Sequence, residues 1–279
     1  MVVSTSSPVV LITGSSHGGI GYSLCEEFAS KGCIVYASAR RLETVSSFTY
    51  PSVRPLIMDV TSDASVRKAV ENIIAEVGRV DIVVANAGIH CHGPILDVSI
   101  ESAKQVLDTN VLGVLRLAQA VFPHMAARKR GTFITIGSVS GASTSPWVGF
   151  YAATKAAAHA ITETLQMEAK ALGPDVQVML VLTGGVKSNI INNTKFALPP
   201  TSLYTRYLPN ILARLHLSQA EPTMPTAEYA QGVVSAALRK RPPRILAIGA
   251  HTWLFRMLRW APRWIVMWYL WRRMGKLRK

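Results

Sequence analysis

The chain has 279 residues, 49% hydrophobic composition and a net charge of +14. That length fits one large α/β domain, because a single sheet of this kind commonly reaches about 250 residues, and no Ser/Gly-rich or Pro-rich linker, repeat or low-complexity run divides it. The charge is uneven. His251 to Lys279 holds eight Lys/Arg, no Asp/Glu and five of the six tryptophans (Trp253, Trp260, Trp264, Trp268 and Trp271), a mixture that suits a lipid headgroup interface and disfavours nucleic acid as a partner.

Cys25, Cys33 and Cys91 are odd in number and lack metal-ligand spacing, so neither a disulfide framework nor a metal site is expected, and a reducing compartment fits. The N-terminus has no basic region before its apolar run and reads as the start of the fold rather than a signal peptide.

Short β-branched runs alternate with helical patterns along the chain. Val9–Thr13 reads as a strand, Ile20–Lys31 as a helix ending at Gly32, and Cys33–Ala39 and Pro55–Met58 as strands. Asp63–Val77 reads as a helix with an Asp cap that closes at Gly78. Val80–Ala85 reads as a strand covered on both faces, apolar except for Asp81. A long helix over Ser99–Arg128, a strand over Gly131–Gly137, a helix over Phe150–Leu172 and a strand over Val176–Leu182 follow. The series ends with a helix over Thr226–Arg239 and a strand over Arg244–Ile248. This alternation predicts a Rossmann-type, doubly wound parallel sheet, with ligands at the carboxyl ends of the strands.

The residues at those ends are informative. Thr13-Gly14-Ser15-Ser16-His17-Gly18-Gly19-Ile20-Gly21 joins the first strand to the first helix. Such a turn lets backbone N–H groups and a helix N-terminus approach a pyrophosphate, which makes Gly14, Ser16, Gly19 and Ile20 candidate contacts. The second strand ends in Arg40-Arg41, where an acidic residue would select NAD; paired arginines instead suit the 2′-phosphate of NADP(H). Asp59 follows the third strand, and Asn86-Ala87-Gly88 the fourth.

Tyr151 and Lys155 lie four apart on a predicted helix and share one face. An ammonium there draws the tyrosine pKa down toward working pH, which suits a proton donor to a carbonyl oxygen. Ser138 ends the fifth strand, thirteen residues before Tyr151. Taken together, the Gly-rich loop, Asp59, Asn86-Ala87-Gly88, Asn110, Ser138 and Tyr151-x-x-x-Lys155 resemble the short-chain dehydrogenase/reductase family in order and spacing, from Val9 to about Ile248.

The resemblance implies that Ser138 binds the substrate oxygen and that Tyr151 is general acid in reduction. It implies that Lys155 tunes Tyr151 and binds the nicotinamide ribose, that Asn110 holds a relay water, and that Val186 and Ser188 lie near the nicotinamide. Two features depart from the family pattern: one extra residue between Gly14 and Gly19-Ile20-Gly21, and Thr183-Gly184-Gly185-Val186 in place of Pro-Gly. The latter run, Tyr36–Glu43 and Met224–Ala230 resemble the fungal NADPH-dependent 1-acyldihydroxyacetone phosphate reductases, a subgroup that also includes reductases of secondary metabolism.

Residues 1–250 are thus expected to form the enzyme domain, with 187–223, including Leu198-Pro199-Pro200, Tyr204 and Tyr207, as a substrate lid or a plain helix pair over the core. Residues 251–279 read as a membrane-surface anchor, with no uninterrupted apolar run approaching the ~20 residues needed to span. The other reading is a tail packed on its own domain or a partner subunit. The Ala-rich stretch Ala152–Ala160 allows a homo-oligomer. The function expected is reduction of a lipid-like ketone with NADP(H), at the cytosolic face of the endoplasmic reticulum or a lipid droplet, or in the cytoplasm. The alternatives are a ketoreductase acting on a terpenoid or polyketide, and a cofactor-binding scaffold, which the intact Asn110, Ser138, Tyr151 and Lys155 disfavour.

Overall fold

Strand β1 (Val9–Thr13) is buried along its whole length because it lies inside a seven-stranded, all-parallel sheet, with a strand on either side. The computed structural model describes residues 7–45, 47–189, 196–217, 220, 222–258 and 260–277. The other strands are β2 (Ile34–Ala39), β3 (Val53–Ile57), β4 (Ile82–Ala85), β5 (Arg130–Ile136), β6 (Asp175–Thr183) and β9 (Ile245–Ile248). Their order is β3-β2-β1-β4-β5-β6-β9, so the winding reverses between β1 and β4, where a crevice opens at the carboxyl ends.

Each face of the sheet is covered by helices. Leu24 and Phe28 of α1 (Ile20–Ser30) pack with Tyr229 and Val233 of α8 (Thr226–Ala237) on one side. On the other, Val66, Val70 and Ile73 of α2 (Asp63–Val77) pack with Leu117, Val121 and Met125 of α4 (Gly113–Ala127). Covering on both sides explains the unbroken apolar runs of the inner strands.

Several boundaries differ from the sequence reading. The cap of α2 is Ser62, not Asp63: Ser62 is extended and its hydroxyl accepts the Ser65 N–H at 3.3 Å, while Asp63 is already helical. The helix expected over Ser99–Arg128 is α3 (Ile100–Leu107), a π-helical segment Asp108–Leu112, and then α4. The π segment carries Asn110, and such insertions recur at functional sites. Helix α6 (Gly149–Glu168) continues only as a 3-10 turn over Ala169–Ala171.

The stretch after β6 is not free of strands. The two-residue β7 (Val186–Lys187) pairs with β8 (Met224–Pro225), a ladder too short to leave any periodicity, and it ties the two ends of the excursion together. Helix α7 (Leu208–His216) lies between them; residues 190–195, 218, 219 and 221 of the expected lid fall outside the described ones.

The tail forms α9 (Thr252–Leu258), α10 (Arg263–Leu270) and a π-helical segment Trp271–Gly275. Val266 and Leu270 are buried. The carbonyl of Met274 accepts from Trp147 Nε1 at 3.0 Å and from Asn210 Nδ2 at 3.2 Å. Arg259, Arg278 and Lys279, and the side chains of Phe255 and Arg256, lie outside the described residues. Among the described residues no helix is long and apolar enough to cross a membrane.

Candidate active site

The Gly-rich turn is shaped by close backbone approaches. Gly14 has φ +70°, and a Cβ on Gly21 would stand 2.4 Å from the Gly14 carbonyl oxygen, so α1 can begin against the loop only if residue 21 has no side chain. Asn86, just past β4, fastens this turn: its Nδ2 donates to the carbonyls of Thr13 at 2.8 Å and Gly14 at 3.0 Å. Thr13 Oγ1 accepts the N–H groups of Asn86 and Ala87, each at 3.0 Å. The other side of the loop is tied to the segment after β2, where His17 N donates to Thr44 O at 2.9 Å.

A cleft of about 1010 Å³ runs along the carboxyl ends of the strands. Arg40 and Arg41, both exposed, line it with Asp59 after β3; Gly14, Ser16, Gly19 and Ile20 line its middle with Asn86 and Gly88. Asp59 is held in a turn, its Oδ1 accepting from the N–H and hydroxyl of Thr61 at 2.9 and 2.8 Å. Ser138, Tyr151, Lys155, Val186 and Ser188 line the same cleft. Only Asn110 among the expected site residues does not: it is buried behind the wall, its Oδ1 accepting Ile89 N–H and its Nδ2 donating to Ile89 O, both at 2.9 Å, and to Thr154 Oγ1 at 3.1 Å.

Tyr151, Lys155 and His159 follow one another at four-residue spacing on α6 and are all buried. Ser138 caps the short helix α5 (Val139–Ala142), its Oγ accepting Ser140 N–H at 3.2 Å. Burial pushes the Tyr151 phenol up to about 12, opposed by a hydrogen bond to Ser138 and by the Arg214 charge. The sequence reading assigned that lowering to Lys155. Instead, Lys155 Nζ donates to the Ile136 carbonyl at 3.0 Å and stands 5.9 Å from the centre of the Tyr151 ring. Burial brings Lys155 itself down to about 8.

Four site residues were not found from sequence. His90 stacks on Tyr151 with centroids 4.2 Å apart and planes 15° apart, and His92 stacks on His90 at 4.8 Å. Burial and the nearby Lys155 and Arg214 charges hold His90 well below its ordinary value, and burial holds His92 at about 4. His159 Nε2 accepts the Ser138 N–H at 3.2 Å, which requires a neutral ring with its proton on Nδ1. Arg214, on α7, lines the cleft. His159 was within reach of sequence reasoning, since it extends the Tyr151/Lys155 face by one further turn. His90, His92 and Arg214 converge only through the tertiary fold.

The Thr183-Gly184-Gly185 run has a structural role. Gly184 N donates to Ile248 O at 2.9 Å, and Gly185 exchanges two backbone bonds with Ala250 at 2.9 and 3.0 Å. Past the end of the parallel β6–β9 ladder, Gly185 and Ala250 thus form an antiparallel bridge beside the cleft that both residues line.

A family model described as short chain dehydrogenase matches residues 8–197. A relative named Short-chain dehydrogenase ptmH, from Penicillium ochrochloron, is 38% identical over 234 residues, 83% of this chain and 85% of its own length. The NADPH-dependent 1-acyldihydroxyacetone phosphate reductase of Schizosaccharomyces pombe is 35% identical over 209 residues, 73% of this chain and 70% of its own. Among solved structures, a short-chain dehydrogenase from Streptomyces avermitilis has a TM-score of 0.78 at 26% identity, covering 90% of this chain and 91% of that one.

Proposed function

The chain belongs to the short-chain dehydrogenase family and is an oxidoreductase, and from that premise we propose that it reduces the ketone of a lipid-like substrate to a secondary alcohol with NADPH. The observation that carries this reading is the single elongated cleft, with Arg40 and Arg41 lining it at one end, Ser138, Tyr151 and Lys155 at the other, and the Gly14–Ile20 turn between. The order of these groups along the strand ends suits a dinucleotide whose 2′-phosphate meets the arginine pair and whose diphosphate meets the backbone N–H groups of the turn. Asp59, Asn86, Gly88, Val186 and Ser188 complete that cradle. When bound, this cofactor supplies the hydride.

The protein's own residues do the rest. Ser138 Oγ orients the carbonyl oxygen, and Tyr151 donates its phenolic proton to that oxygen as negative charge develops there. Ser138 and the Arg214 charge stabilise the resulting phenolate, and Lys155, held on the Ile136 carbonyl, would bind the nicotinamide ribose. Asn110, fixed in the π segment on the Ile89 backbone and Thr154, holds the relay water through which Tyr151 is re-protonated. The His90 ring fixes the plane of Tyr151, and its neutrality keeps a further cation away from Lys155.

The subgroup resemblance and the fission-yeast relative support an acylated ketone substrate; a terpenoid or polyketide ketone is the other substrate class. The test is NADPH oxidation by purified protein across a ketone panel that includes 1-acyldihydroxyacetone phosphate, with NADH in parallel. No turnover with any ketone, or full activity in Tyr151→Phe, would sink the reading.

A second reading concerns placement. Trp260 is 90% exposed and Trp264 71%, on a tail that carries eight basic and no acidic residues. We infer that this face rests on an anionic membrane surface, with the endoplasmic reticulum or lipid droplets as the expected location. Sedimentation with phosphatidylcholine vesicles, with and without phosphatidylserine, tests it; recovery in the supernatant with both overturns it. Ala153, Ala156 and Ala160 on α6, beside exposed Leu107 and Leu112, provide a flat face for a second copy, which light scattering would detect.

A further inference from the structure

Among the described residues, Arg214 has no carboxylate partner. Its one side-chain hydrogen bond among the described residues runs from Nε to Ser145 Oγ at 3.1 Å, although a guanidinium carries five N–H donors. It lines the cleft together with Tyr151, His90 and His92, and its charge acts on all three of those side chains. Burial pulls Arg214 down to about 10, the signature of a cation whose lost hydration has not been replaced.

The surroundings make the deficit sharper. Asp59 is the sole acidic side chain among the described residues that line the cleft; it follows β3, and its Oδ1 is already taken by Thr61. The His90/His92 stack adds further buried nitrogens: Nδ1 of His90 and both ring nitrogens of His92 lack a hydrogen-bond partner among the described residues. Buried polar atoms are almost always paired, so a cluster of three beside an unpaired guanidinium points to a group that arrives from outside.

We propose that Arg214, seated on Ser145 beside the His90/His92 stack, receives an oxyanion carried by the ketone substrate, so that this enzyme selects anionic ketones over neutral ones. The proposal rests on the reading of Tyr151 as the proton donor, since that reading sets which end of the cleft takes the substrate. A planar fork matches a carboxylate or a phosphate monoester in two parallel bonds. The neutral imidazoles can each offer one N–H to the same group without adding charge.

The test compares two matched pairs of ketones with purified enzyme and NADPH: a long-chain 3-oxo acid against its methyl ester, and 1-acyldihydroxyacetone phosphate against the dephosphorylated ketone. We expect kcat/KM to favour the anionic member of at least one pair by about tenfold or more, and Arg214→Gln to erase that preference. The pair that responds identifies the anion as carboxylate or phosphate. Arg214→Lys, which keeps the charge but not the fork, should retain a reduced preference, and it carries the test if Arg214→Gln does not melt as a folded protein by circular dichroism.

The proposal is overturned if wild type shows no anion preference in either pair, if the preference survives in Arg214→Gln, or if both members of a pair lose activity equally. It is also overturned if Arg214→Gln weakens NADPH binding, measured by fluorescence titration, as much as it weakens anionic-substrate turnover, for Arg214 would then serve the cofactor. Failure of the underlying reading looks different: Tyr151→Phe would turn over neutral and anionic ketones at wild-type rates.

Discussion

Trp147 and Met274 lie 127 residues apart in sequence and share one hydrogen bond, indole N–H to carbonyl, at 3.0 Å. Trp147 stands at φ +70°, an uncommon conformation for a bulky residue, just before α6. Asn210 donates to the same Met274 carbonyl and to that of Lys276 at 2.9 Å. The tail therefore joins the segment before the catalytic helix to α7. We expect Trp147→Phe, which keeps the ring but not the donor, to cost about 1 kcal/mol and lower Tm by about 2–4 °C. A chain ending at Pro262 loses both acceptor carbonyls and should show a raised KM beyond any loss of membrane binding. Identical melting and kinetics for the shortened and full chains would show that the clamp contributes nothing.

Arg40 and Arg41 are exposed at the cleft, and Arg41 has only a loose 3.9 Å pairing with Glu43, so the pair is available to a 2′-phosphate. Replacing both with serine should narrow the NADPH/NADH preference by about 10- to 100-fold, chiefly through cofactor affinity. Isothermal titration with each cofactor reads this directly. A wild-type enzyme that binds NADH as tightly as NADPH would contradict the assignment.

Tyr151→Phe preserves the ring stacked on His90 and removes only the hydroxyl. Turnover should fall by about 10²–10⁴-fold while cofactor still binds. Lys155→Met should harm turnover and cofactor binding together, and it also leaves the buried Ile136 carbonyl without its donor. Separate kcat and Kd measurements on the two variants distinguish these outcomes.

The buried histidines predict acid sensitivity. His92 and His159 are held at about 4 in the folded protein, chiefly by burial, against about 6.5 in the unfolded chain. Between those values the unfolded state binds more protons, so stability falls as pH drops from about 6.5 toward 4. His90, shifted in the same direction, adds to the slope. Because His159 must stay neutral to accept the Ser138 N–H, His159→Gln should flatten the Tm–pH curve in this window while partly preserving Ser138. A curve unchanged by this substitution would exclude His159 as a contributor.

Asp81, at the amino end of β4 and far from the cleft, is a purely structural control. Its carboxylate accepts the Val9 N–H at 2.9 Å, Arg79 Nε at 3.0 Å and Arg128 Nη2 at 2.6 Å, and these bonds outweigh burial to hold its pKa below the ordinary value. Asp81→Ala should cost about 2–4 kcal/mol by urea denaturation. An activity loss exceeding the loss of folded protein would mean that the sheet's amino end is coupled to the site.

Periodicity and short-range spacing made the sheet and most of the cleft legible in advance. A parallel strand covered on both faces is apolar along its buried length, so β1 and β4 announce themselves. The turn at Gly14–Gly21, the arginines at 40 and 41 and the Tyr151/Lys155 pair are local patterns whose chemistry follows from residue type and offset. The two-residue ladder Val186–Lys187 with Met224–Pro225 was not legible, because two residues carry no period. Nor was the stack of His92, His90 and Tyr151, or the approach of Arg214 to it. Those groups come from a loop after β4, from α6 and from α7, and nothing in their linear spacing says that they meet. The tail's dual character has the same origin. Composition shows that the tail is basic and rich in tryptophan, but the burial of Val266 and Leu270 and the shared Met274 carbonyl depend on where α7 and Trp147 lie in space. Local sequence encodes which chemistry a residue can do and which face it occupies. Long-range packing sets which charges go unpaired, and it is the unpaired Arg214 that bears on the choice of substrate.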